Sequence, residues 1–155
     1  MGVEGRKQFI VEPHLPYFLH PSEGPGAMIT AVIFNGKNYE SWKRVVTTAL
    51  KGKNKLAFIN GTLRRPVIED GKEFSECHAW DIANSMLWSW LFDIINPKLR
   101  MTIVYCDTTS SMWDDLRKRY GMANTPKIHQ LKVTFVNCKQ GDMDIDEFYS
   151  KLVNL

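Results

Sequence analysis

At 155 residues the chain has room for one full domain, or for one lobe plus part of another. Its 44% apolar content and five tryptophans supply a real core and exclude a disordered tail. A net charge of +3 is too small for a dedicated nucleic-acid binder.

The charge is nevertheless uneven. Residues 1–65 carry ten Lys/Arg against four Asp/Glu, whereas residues 66–155 carry ten against thirteen. A basic front and an acidic back suit head-to-tail contact between copies, contact with phosphates, or two ordinary solvated surfaces. Cys77, Cys106 and Cys138 are sparse and odd in number, which predicts reduced thiols in a cytoplasmic setting. No stretch is apolar for the ~20 residues a membrane span needs.

In chain order, residues 1–34 read as an extended arm. Pro13, Pro16, Pro21 and Pro25, with Gly24 and Gly26, forbid a helix over most of it. Within the arm, Ala27–Phe34 is rich in β-branched residues and predicts one short strand-like piece that lies along the helical body or pairs with another copy. Asn38 is a good N-cap, after which Tyr39, Trp42, Val45, Val46, Ala49 and Leu50 share a helical face. Lys55–Ile59 makes at most a short turn before Asn60-Gly61, and residues 60–74 read as a loop.

The longest helix is expected over 76–95, with Trp80, Ala83, Leu87, Trp90, Leu91 and Ile94 along one stripe. Trp88, Phe92 and Ile95 carry the apolar surface further round the cylinder. Burying one such aromatic contributes about 2–3 kcal/mol, so several left in water would be costly. Asn96-Pro97 restarts a helix to about Tyr105. Asp107 or Thr108 caps the next, with Met112, Trp113, Leu116 and Tyr120 inward and Gly121 as the stop. Two further helices are expected, one after Thr125-Pro126 and one after Asp144 with Ile145, Phe148, Tyr149 and Leu152 on its face.

The whole is an all-α reading: a bundle of about six helices behind an extended Pro/Gly-rich arm.

No catalytic set emerges, so the chain is not read as an enzyme. Asp107-Thr108-Thr109 lacks the glycine of an aspartic-protease motif, and helix capping accounts for it. The adjacent Asp114 and Asp115 suit the first turns of a helix. Neither a cofactor, a metal nor a small-molecule substrate is implied, since Cys77-His78 has no second pair at ligand spacing. The one candidate charged surface is Lys43, Arg44, Lys51, Lys53, Lys55, Arg64 and Arg65. Its neighbours Trp42 and Phe58 have core spacing, so RNA would be drawn weakly, non-specifically and with strong salt dependence.

Seven segments in a fixed order bring in a resemblance: LPYFLHPSEGPG, FNGKNYESWKR, ALKGKNKLAFINGTLRRP, WDIANSMLWSWL, MWDDLRKRYG, IHQLK and QGDMDIDEFYSKL. From Leu15 onward the chain resembles the Gag polypeptide of plant copia-type LTR retrotransposons. The resemblance implies a capsid role: a protein that self-associates into particles around the element's RNA. It also implies an N-terminal lobe over 35–121 and the first helices of a second lobe over 122–155. Family members often continue into a C-terminal C-x-x-C zinc knuckle, which does not occur in this sequence. Trp88, Phe92 and Ile95 are the expected self-association residues, and the basic set above is the expected RNA or charge contact. The alternative is a host adaptor derived from such an element, binding a peptide in an apolar groove.

Overall fold

The computed structural model describes residues 10–67 and 74–121, together with Glu147 and Ser150. Among them are five α-helices and no named strand, which is compatible with the all-α expectation. The helices expected beyond Gly121 lie outside the described residues, apart from Glu147 and Ser150, which are both helical.

Helix α1 spans Tyr39–Gly52. Tyr39, Trp42, Val46 and Leu50 fall on one face and are buried, while Val45, expected inward, stands 37% exposed at the edge of that stripe. Asn38 is the N-cap residue, but its side chain does not bond the helix. Its Oδ1 accepts from the Asn35 amide at 2.9 Å and its Nδ2 donates to the Ile33 carbonyl at 2.9 Å. The Asn35 Oδ1 in turn accepts from the amides of Lys37 and Asn38. Two asparagines thus fix the entry turn, which Gly36 completes at φ +88°. Helix α1 ends where Asn54 takes a left-handed φ of +57°, a conformation asparagine tolerates better than most residues.

The single turn α2, Leu56–Ile59, buries Phe58 and Ile59. Helix α3, Phe74–Asp93, begins and ends two residues earlier than expected. All six residues of its predicted stripe are buried. What stops it is the arm. The Phe34 amide donates to the Ile94 carbonyl and the Asn96 amide donates to the Phe34 carbonyl, each at 2.8 Å. Phe34 and Ile95 therefore form an isolated parallel bridge, and the strand-like piece expected over Ala27–Phe34 reduces to that one contact.

Asn96 then caps α4, Pro97–Arg100, by accepting from the Lys98 amide at 3.0 Å, with Pro97 at the first helical position. Helix α4 is shorter than expected, and residues 101–105 continue as turns. Helix α5, Thr109–Leu116, opens on a capping box in which Thr108 and Ser111 satisfy each other's amides. It passes into a π-helical turn, Arg117–Gly121.

The core is aromatic. Trp42 stacks on Trp113 with ring centres 5.4 Å apart, and Phe34 packs edge-on against Tyr39 and Tyr120. Phe34 is wholly buried, so residues expected to form a separate arm contribute to the same core as α1, α3 and α5.

Candidate interaction surfaces

The seven basic residues expected to act together do not form one surface. Lys55 is 2% exposed, and its ammonium donates to the Phe18 carbonyl. Lys53 is ion-paired with Glu23 and lies 5.6 Å from the centre of the Trp90 ring. Arg65 grips Asp81 with two bonds of 2.8 and 2.9 Å, which raise the guanidinium and lower the carboxyl from their ordinary values. Lys43 sits 5.9 Å from the Tyr39 ring centre. Arg44, Lys51 and Arg64 are exposed, and no ion pair engages them among the described residues. Of the seven expected contact residues, these three remain unengaged among the described residues.

Lys53 and Lys55 instead hold the N-terminal segment. Asn54 Nδ2 donates to the His14 carbonyl at 3.1 Å, and Trp90 Nε1 donates to the Gly24 carbonyl at 2.9 Å. The Tyr17 hydroxyl donates to Glu76 at 3.2 Å. Burial, then the neighbouring Glu76 carboxylate, pushes the Tyr17 phenol up to about 12. Burial also pushes the Glu23 carboxyl up, but the bond from Lys53, the His20 amide and the two lysine charges outweigh it and leave it below its ordinary value.

The expected self-association residues separate as well. Ile95 is completely buried against the core, so it has no surface to offer a partner in this fold. Trp88 and Phe92 are half-buried and stack on each other with ring centres 4.8 Å apart. Trp88 Nε1 donates to the Cys106 carbonyl at 2.8 Å, while the Arg100 guanidinium lies 4.9 Å from the Phe92 ring centre. The segment between Arg100 and Cys106 is thus fastened at both ends to the pair. It carries Met101 at 71% exposure and Tyr105 at 85%, with Val104 also exposed.

These three residues were missed in the sequence because the stretch was read as one helix. The signal was there: Leu99 and Ile103 face inward four residues apart, which turns Met101 and Tyr105 outward at the same spacing.

Other candidate chemistry dissolves into structure. Asp114 pairs with Arg117 and Lys118, and Asp115 with Arg119. Thr108 is a cap, and buried Thr109 bonds Asn84 through both its amide and its hydroxyl, each at 3.0 Å. Cys77 is buried with Sγ on the Pro66 carbonyl, and burial raises the Cys106 thiol. Cys138 lies outside the described residues. Among the described residues no three His, Cys, Asp or Glu side chains gather as a metal site, and no helix is long and apolar enough to cross a membrane.

What the described residues define together is a helical protein whose surface carries exposed apolar side chains at Met101, Val104 and Tyr105 and unengaged cations that include Arg44, Lys51 and Arg64. Residues 20–67 match the family model described as Gag-polypeptide of LTR copia-type, and the match supports a copia-type Gag. That family is structural and capsid-type, not catalytic. The matched range runs from the N-terminal segment through Phe34, α1 and α2. No curated protein and no solved structure matches the chain.

Proposed function

We propose that this chain is the capsid segment of a plant copia-type Gag, and that its copies associate into particles that enclose the element's RNA in the cytoplasm. The lobe over 35–121 supplies the contact, with 122–155 opening a second lobe. The observation that carries this reading is the exposure of Met101, Val104 and Tyr105, between the Arg100 and Cys106 contacts to the half-buried Trp88–Phe92 stack, in a chain that matches a Gag family over residues 20–67. Contiguous apolar side chains left in water mark contact sites, and interface energy concentrates in such anchors. Arg44, Lys51 and Arg64 add a weak, sequence-independent attraction for RNA.

Sedimentation velocity across a range of concentrations tests this. The wild type is expected to form larger species as concentration rises. The double variant Met101→Ser with Tyr105→Ser stays monomeric with unchanged helicity, whereas Lys51→Ala assembles as the wild type does. Trp88→Ala is a poorer probe because it also breaks the bond to Cys106. A wild type that remains monomeric throughout sinks the proposal.

A further inference from the structure

The N-terminal segment is held by the packing of Leu15, Tyr17 and Leu19 on the core and by bonds that the helical body makes to it. From His14 to Gly24 its own bonds are local turns: Leu15 to Glu12, Phe18 to Leu15, Glu23 to His20 and Ala27 to Gly24 between backbones, with the His20 and Ser22 amides bonded to the Glu23 and His20 side chains. The body provides the rest. Asn54, Lys55 and Trp90 reach the carbonyls of His14, Phe18 and Gly24, while Lys53 takes the Glu23 carboxylate and Glu76 the Tyr17 hydroxyl. The α1–α2 corner with the adjoining side of α3 is therefore a built receptor for an extended strap. Three donors read its backbone, and Tyr17 and Glu23 set its register.

Such a receptor cannot stay empty at low cost. Lys55 is among the largest fully buried side chains, and withdrawing the strap would strip the Phe18 carbonyl from an ammonium inside the fold. Opening is then favoured when a replacement strap arrives as the first one leaves. The connection to the body runs through Gly24-Pro25-Gly26, where neither glycine would meet a neighbour within 4 Å at the side-chain position and where the Trp90 bond to the Gly24 carbonyl is the described hydrogen bond to the body. Every bond to the strap is equally available to the same residues of another molecule, the condition under which an element is exchanged between identical chains.

We infer that the strap of one copy occupies the α1–α2 receptor of a neighbouring copy, so that exchanged straps link chains within the assembly. This rests on the self-association reading and names a second, separate contact for it.

The contact between Glu23 and Lys53 gives a direct test on the full-length chain without substitution. A carbodiimide joins a carboxylate to an amine it already touches, forming an amide as the reagent takes up the elements of water. Equal amounts of light and nitrogen-15 chain are mixed, allowed to associate, coupled and digested, and the Glu23–Lys53 cross-linked peptides are weighed. Complete exchange makes about half of them isotopically mixed, because straps and receptors then pair at random between copies. Glu23→Gln removes the cross-link and identifies it. Cross-links that are all of one isotope, from a sample that light scattering shows to be oligomeric, overturn strap exchange and leave the Gag reading standing. One-isotope cross-links from a chain monomeric at every concentration overturn both.

Discussion

Lys55 shows how much one side chain can be asked to do. Its ammonium is enclosed, which lowers its pKa from the ordinary 10.5; Glu23 pulls it back up and Lys53 adds to the lowering. Between the lowered value and 10.5 the unfolded chain holds more protons than the folded one, so stability rises with pH across that window and the penalty is constant below it. The slope can reach about 1.4 kcal/mol per pH unit inside the window. Tyr17 acts in the opposite sense, since a phenol pushed up to about 12 loses stability as pH rises beyond its ordinary 10.0. The two are separated by staying below that point. Urea unfolding over a series of pH values up to about 10 should show the wild type gaining stability toward the top of the range and Lys55→Met gaining much less. Parallel lines would mean that the ammonium is solvated after all. In the sequence Lys55 was one basic residue among seven, and only its neighbours distinguish it.

At the scale of elements, the short helices depend on their ends. Helix α5 has eight residues, too few to be stable alone, and is held by its cap and by the face it buries. Two polar devices fix its start and differ in exposure. The Thr108–Ser111 box lies at the surface, where replacing the cap with alanine costs about 1 kcal/mol. Asn84 is buried in α3, and its side chain satisfies the Thr109 amide, which no other group reaches. Asn84→Leu strands that amide and adds the misfit of a new side chain, costing about 1–3 kcal/mol for the stranded group alone. Thermal melts should therefore fall further for Asn84→Leu than for Thr108→Ala, and the reverse order would refute the assignment. The cap at Thr108 was legible from residue type and position. Asn84 was not, because an asparagine within an apolar helix gives no sign of its partner twenty-five residues away.

For the molecule as a whole, Phe34 joins the N-terminal segment to the helices. It is bonded through its backbone to both sides of Ile95 and wedged among Tyr39, Trp42 and Tyr120. The N-terminal segment and the helices share one core through it. The same packing distributes the surface charge. Of the seven basic residues singled out in the sequence only Arg44, Lys51 and Arg64 are left exposed and unengaged among the described residues, so this set can neutralise few phosphates. For single-stranded RNA three such contacts give a slope of about −2 in log affinity against log salt. Filter binding over a salt series should show the slope reduced by about 2 when all three residues are changed to Gln. An unchanged slope would mean that these three residues make no phosphate contact.

The sequence by itself determined what repeats along the chain: the helical faces of α1, α3 and α5, the restart at Asn96-Pro97, the Thr108 cap, and the ordered motifs that resemble copia-type Gag. These follow from period and local bonding, which neighbouring residues settle among themselves. Tertiary structure alone decided that Lys55 and Ile95 are interior, that Phe34 is core, and that Lys53 and Arg65 are ion-paired. Burial and ion pairing depend on which distant segments meet, and residue spacing carries no record of that.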